Sequence, residues 1–156
     1  MAYYFAFGSC MHLDDIARTV DAKVVGAGRL EHYRLGFTKY SNGRQGGVAD
    51  LIETPHDYAE GMVFEVEGFK ELDAREGAPF FYERVRVPIH LTHEDRVVFA
   101  TTYMIKNKES YEIQPTEEYA NLIREGAKQL SPSYQRYLEK ILSEKRVVIK
   151  PKPIVK

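Results

Sequence analysis

The chain has 156 residues, one cysteine, and 22 basic against 23 acidic side chains, for a net charge of −1. A chain of this length buries roughly two thirds of its unfolded surface in one core, so a single domain is expected. With its charges interspersed, neither nucleic acid nor a membrane surface is expected as a partner. A lone cysteine excludes an internal disulfide and fits a reducing, cytoplasmic setting. The apolar N-terminus lacks a basic n-region, is short, and breaks at Gly8-Ser9, so it is not read as a secretory signal.

In chain order, an aromatic-rich first strand is expected over about Ala2 to Phe7, followed by a short helix over about Leu13 to Val20, with Asp14 and Asp15 in its first turn. Val24 to Lys39 reads as one or two extended segments ending in a Ser41-Asn42-Gly43 turn. Gly47 to Glu53 and Ala59 to Val66 read as two strands connected at Pro55-His56-Asp57. A short helix over Gly68 to Arg75 stops at Gly77. Tyr82 to Leu91 sets Val85, Val87 and Ile89 on one face against Arg84 and Arg86 on the other, and pairs as a hairpin with Val97 to Ile105 through a polar turn at Thr92 to Arg96. Helices are expected over Glu117 to Leu130 and Ser133 to Leu142. Ser131-Pro132 divides them, and Tyr134, Leu138 and Ile141 form the apolar stripe of the second. About six strands with short helices between them define an α+β or barrel-like class; periodicity does not decide whether the sheet closes. The domain is taken as residues 1–144. The basic, Pro-punctuated tail, 145–156, reads as a solvated end whose Val147-Val148-Ile149 run has the composition to add an edge strand or meet a second subunit.

Two segments carry chemistry. The strand Tyr3-Tyr4-Phe5-Ala6-Phe7 stops at Gly8-Ser9-Cys10 and feeds a helix, a turn that presents several unpaired backbone N–H groups in one place. Such a turn can hold a carboxylate, a phosphate or a developing oxyanion; it can equally serve only to bend the chain. In mid-chain, Leu72-Asp73-Ala74-Arg75-Glu76-Gly77 precedes the apolar run Ala78 to Tyr82. Together the two segments resemble the gamma-glutamylcyclotransferase family (AIG2-like superfamily). Its members open on a Tyr-Phe-Ala-Tyr-Gly-Ser-Asn strand and loop and carry a catalytic glutamate in a Leu-Asp-x-x-Glu-Gly segment. Further resemblances follow in the family's order: Arg29 to Phe37, Gly46-Gly47-Val48-Ala49, Gly61 to Phe64, Thr102-Tyr103-Met104 and Tyr119 to Lys128. They span most of residues 3 to 140, and their colinearity gives the match its specificity.

The resemblance implies a small mixed β-barrel with helices packed outside. It also implies an enzyme that needs no metal or organic cofactor and cyclises a γ-glutamyl group to 5-oxoproline, releasing an amine or amino acid. Such an acyl transfer within the substrate needs a folded near-attack geometry and one group that takes the amine proton and later protonates the leaving nitrogen. The resemblance assigns that role to Glu76, near a helix C-terminus where the macrodipole disfavours negative charge. Pro79, Phe80 and Phe81 are expected to strip water from it and raise its pKa. A glutamate at a helix end is otherwise an ordinary solvated residue, and Asp73 is a rival on the same helix face. By resemblance Tyr4, Phe5, Ala6, Phe7, Gly8, Ser9 and Cys10 line the substrate site, with Tyr103 a further contact or else a buried tyrosine held by a structural bond. Phe7 stands where the family has Tyr and Cys10 where it has Asn, so the substrate is less defined than the reaction. A binding module that has kept the cavity without turnover is the alternative, as is action on a γ-glutamyl amine or a larger γ-glutamyl molecule. A homodimer is left open.

Other constellations read poorly. His90 and His93, three apart, would face opposite sides of a strand or sit solvated in a turn, so no metal site is expected there. Cys10 with His12 lacks an orienting carboxamide. Gly26-Ala27-Gly28 lacks the third glycine and following helix of a dinucleotide loop.

Overall fold

A computed structural model describes residues 2–150. Five strands close into a barrel: β1 (Ala2–Ala6), β2 (Ala22–Ser41), β3 (Gly46–Val66), β4 (Tyr82–Leu91) and β5 (Arg96–Ile105), in spatial order β1-β3-β2-β4-β5. β1 pairs antiparallel with β3 from Ala2↔Val66 to Ala6↔Met62 and closes the barrel by a parallel contact with β5 at Tyr4↔Thr101. Both edges of β1 are therefore paired, and Tyr4, Phe5 and Ala6, which alternate between its faces, are almost fully buried, so the strand is apolar without alternation.

The count is five rather than about six because β3 is one 21-residue strand where two were expected. Its pairing with β2 passes from Tyr33↔Glu53 directly to Glu31↔Tyr58, so residues 54–57 oppose His32 alone. Pro55, which has no N–H to give, sits in this wide bulge. His32 (φ 69°) and His56 (φ 65°) take the left-handed conformation on its two sides. Pro55-His56-Asp57 thus marks a corner in one strand, not the end of it.

Four short helices lie outside the sheet: α1 (Leu13–Ile16), α2 (Lys70–Glu76), α3 (Glu117–Gly126) and α4 (Pro132–Ser143), with a 3₁₀ turn at Ala127–Gln129 after α3. α3 starts where the Thr116 hydroxyl accepts from the Tyr119 N–H at 3.1 Å. α4 starts at Ser131, whose hydroxyl accepts from the Tyr134 N–H at 3.2 Å, with Pro132 at the first helical position. The Ser131 hydroxyl and N–H both donate to the buried Glu60 carboxylate, at 2.7 and 3.0 Å, fastening α4 to β3. Tyr134, Leu138 and Ile141 pack inward as the stripe requires.

The tail begins docked. Val147 forms a parallel bridge with Ile113. The Arg146 side chain, only 2% exposed, reaches Glu112 at 3.3 Å and lies over the Phe37 ring, 4.9 Å from its centroid. Val148 is exposed, and residues 151–156 lie outside those described. Among the described residues no helix is long and apolar enough to cross a membrane.

Candidate active site

The loop after β1 and the C-terminal end of α2 meet at one cavity of about 450 Å³. Gly77, at φ 66°, terminates α2 in the left-handed conformation that glycine adopts without penalty, and the Ala78 N–H bonds the Asp73 carbonyl at 2.9 Å. Glu76 is therefore the last helical residue, turned inward to the cavity, with its side chain 17% exposed. Gly8 brings the loop against β3: a Cβ there would meet the Ala49 Cβ at 3.0 Å. Among the described residues, no protein acceptor takes the N–H groups of Gly8, Ser9 or Cys10, so these donors remain available to a ligand.

Burial pushes the Glu76 carboxyl above its ordinary range. The neighbouring Arg75 opposes the shift, Asp15 adds to it and Arg44 opposes it more weakly. The nearest cationic nitrogen, Arg75 Nε, is 4.0 Å away. Arg75 spends its fork elsewhere, on Asp15 Oδ2 at 2.6 Å and Thr19 Oγ1 at 3.3 Å. Asp73, the rival, is committed: it accepts from Tyr103 Oη at 2.6 Å and Arg84 Nη2 at 2.7 Å, and it does not line the cavity.

The predicted site residues divide accordingly. Glu76, Tyr4, Phe7, Gly8, Ser9, Cys10 and Tyr103 share the cavity wall. Phe5 and Ala6 do not: Phe5 points to the face opposite Tyr4, its wholly buried ring beside Phe7 with centroids 6.3 Å apart, and Ala6 is buried in the core away from the cavity. Tyr103 borders the cavity, and its hydroxyl donates to Asp73, a structural bond. The expected shielding of Glu76 by Phe80 is not found. Phe80 is 82% exposed, because the turn after Gly77 swings it outward; Phe81 lines the cavity and packs on Tyr82 instead. Cys10 Sγ lies 3.2 Å from Tyr4 Oη, and burial, with the charge of Glu76 adding to it, pushes the thiol up to about 11.

Several wall residues have no sequence-local signal. Tyr82 donates to the Ala49 carbonyl at 2.8 Å, and Tyr119 accepts the Ala49 N–H at 3.0 Å, so one residue of β3 fixes two tyrosines from β4 and α3. Burial pushes Tyr119 up to about 12. Ser41 closes β2, and Arg44 comes from the turn between β2 and β3. Among the described residues, no group of three or more His, Cys, Asp or Glu side chains is placed to hold a metal ion.

The fold and this cavity can be set beside known proteins. The AIG2-like family model matches residues 59–138, and the chain belongs to that family. Among solved structures, a gamma-glutamyl cyclotransferase superposes with a TM-score of 0.81 at 26% identity, covering 88% of this chain and 86% of its own. The human uncharacterized protein LOC79017 gives 0.81 at 25% identity, covering 99% and 91%. Bacillus subtilis YkqA gives 0.81 at 26% identity over 94% of this chain and 55% of its own length. No curated protein matches by sequence.

Proposed function

We propose that the protein is a gamma-glutamylcyclotransferase-type enzyme. It cyclises a γ-glutamyl group to 5-oxoproline and releases the attached amine, with Glu76 as general base and then general acid. The observation that carries this reading is a largely buried carboxylate of raised pKa, with Arg75 Nε no nearer than 4.0 Å, sharing one cavity with three backbone N–H groups that no protein acceptor takes among the described residues. The substrate's α-amine attacks its own γ-carbonyl carbon, and Glu76 takes the proton from that nitrogen. The carbonyl becomes an oxyanion, collapses with cleavage of the exocyclic C–N bond, and Glu76 returns the proton to the departing nitrogen. A raised carboxyl pKa suits both transfers, since it brings the shuttle nearer the operating pH. The N–H groups of residues 8–10 have the character required to hold the α-carboxylate or the oxyanion. Holding the chain folded contributes up to several kcal/mol by proximity alone.

The structural likeness to a gamma-glutamyl cyclotransferase supports the same reaction class. Incubating the protein with a panel of γ-glutamyl amino acids, peptides and amines, and measuring 5-oxoproline, tests the reading. Turnover of at least one class is expected. Ligand binding without 5-oxoproline from any would identify a binding module instead.

A further inference from the structure

The cavity wall holds two arginines in different electrostatic states. Arg75 is answered by Asp15 at 2.6 Å. Arg44, on the turn between β2 and β3, has no carboxylate within ion-pair distance among the described residues. Its guanidinium lies over the Tyr119 ring, 5.3 Å from the centroid, and that ring is fixed through the Ala49 N–H. A guanidinium on an aromatic platform is held in place while its charge stays open to a ligand. The turn is pinned as well, because the Arg44 N–H donates to the Ser41 hydroxyl at 3.2 Å. That bond uses Ser41 Oγ as acceptor, leaving its proton to donate, and Ser41 also lines the cavity.

Depth assigns this pair to one end of the substrate. Glu76 and Cys10 lie deep, whereas Arg44 is exposed at the mouth. The cyclising end must reach Glu76 with its amine, and the N–H groups of residues 8–10 answer its α-carboxylate. The released amine lies toward the mouth. We propose that Arg44, with the Ser41 hydroxyl beside it, receives an anionic group on the leaving side, so that γ-glutamyl amides whose released amine carries a carboxylate are preferred over those whose amine is neutral or cationic. This rests on the cyclotransferase reading above. A cationic leaving group would meet like charge at the same position, so Arg44 both selects and rejects.

Two matched substrates test it: γ-glutamyl-alanine, and γ-glutamyl-ethylamide, which is the same amide with the carboxylate replaced by hydrogen. Wild-type kcat/KM, read as 5-oxoproline release, is expected to favour γ-glutamyl-alanine by about 10-fold or more, the low end for a charge-assisted hydrogen bond at a partly exposed site. In Arg44→Met the ratio falls toward one through loss on γ-glutamyl-alanine, and Arg44→Lys keeps part of it. Because the side chain is exposed on a turn, neither substitution threatens the fold. A wild-type ratio near one overturns the inference. So does an equal loss on both substrates in Arg44→Met, which would place the Arg44 charge on a group common to both, the α-carboxylate or Glu76 itself. Release of 5-oxoproline from neither substrate by wild-type protein would instead strike the proposed reaction, and this inference with it.

Discussion

Asp73 and Glu76 lie three residues apart on α2, yet their surroundings give them opposite roles. Asp73 is satisfied by Tyr103 and Arg84 and serves as a strut; Glu76 is desolvated and left without a close partner. Such a carboxylate weakens the fold it sits in. With its folded pKa raised above the unfolded value, the folded state binds the extra proton, so stability falls as pH rises from the unfolded pKa through the folded one and stays lower above it. Glu76→Gln is therefore expected to melt higher than wild type at neutral pH, with the gap closing on acidification toward the ordinary carboxylate range; thermal melts across pH check this. Cys10 yields a second prediction. Its thiol, raised to about 11 by burial, stays protonated at neutral pH and is a poor nucleophile. Cys10→Ser is expected to retain activity, and Cys10→Asn to be tolerated or improved. Inactivity of well-folded Cys10→Ser, with a thioester adduct found by mass in wild type, would contradict this.

At the scale of elements, the end of α2 aims Glu76 into the cavity. Gly77→Ala forces a Cβ into a left-handed position, 3.3 Å from Phe81 Cβ, and is expected to cost about 1 kcal/mol while lowering kcat more than it raises KM. Chemical denaturation and steady-state kinetics measure the two effects separately. The same glycine was legible in the sequence as a helix stop, and with it the position of Glu76 at the helix end. The β4–β5 hairpin was equally legible, because Val85, Val87 and Ile89 alternate with exposed Arg84, Arg86, Pro88 and His90. The long β2–β3 pair was not: a wide bulge and a true turn carry the same Pro and left-handed residues, and only the register across the strands separates them. Local pattern likewise could not send Phe80 outward and Phe81 inward, which depends on the path of the turn after Gly77.

Across the whole molecule, the site is assembled from β1 and the loop after it, the end of β2 and its turn into β3, β3, α2, β4, β5 and α3, parts remote in sequence that only barrel closure brings together. Tyr82 and Tyr119 meet on Ala49 from 33 and 70 residues further along the chain, so no local motif could have named them. The docked start of the tail belongs to the same closure. Glu112 accepts from the Phe37 N–H at 3.0 Å, from Arg34 at 3.1 Å and from Arg146 at 3.3 Å. Burial favours its protonated form, but these donors win and hold it below its ordinary value. Its contribution is present above the unfolded carboxylate pKa and is lost as pH falls through the lowered folded one. Arg146→Met is expected to destabilise the protein by about 2–4 kcal/mol, as for one side of a largely buried pair, and to lessen the acid dependence of stability. Urea unfolding at pH 7 and at pH 4 reads both effects, and an unchanged midpoint would show the clasp to be idle.

The proton shuttle at Glu76 is tested most directly by single-turnover and steady-state release of 5-oxoproline from Glu76→Gln, on whichever γ-glutamyl compound wild type turns over. The amide keeps the shape of the side chain and cannot take a proton. Turnover is expected to fall by about 10²–10⁴-fold, the loss typical of a general acid/base, with ligand binding retained and a cooperative melting transition at or above that of wild type. Near wild-type release of 5-oxoproline by folded Glu76→Gln would contradict the assignment.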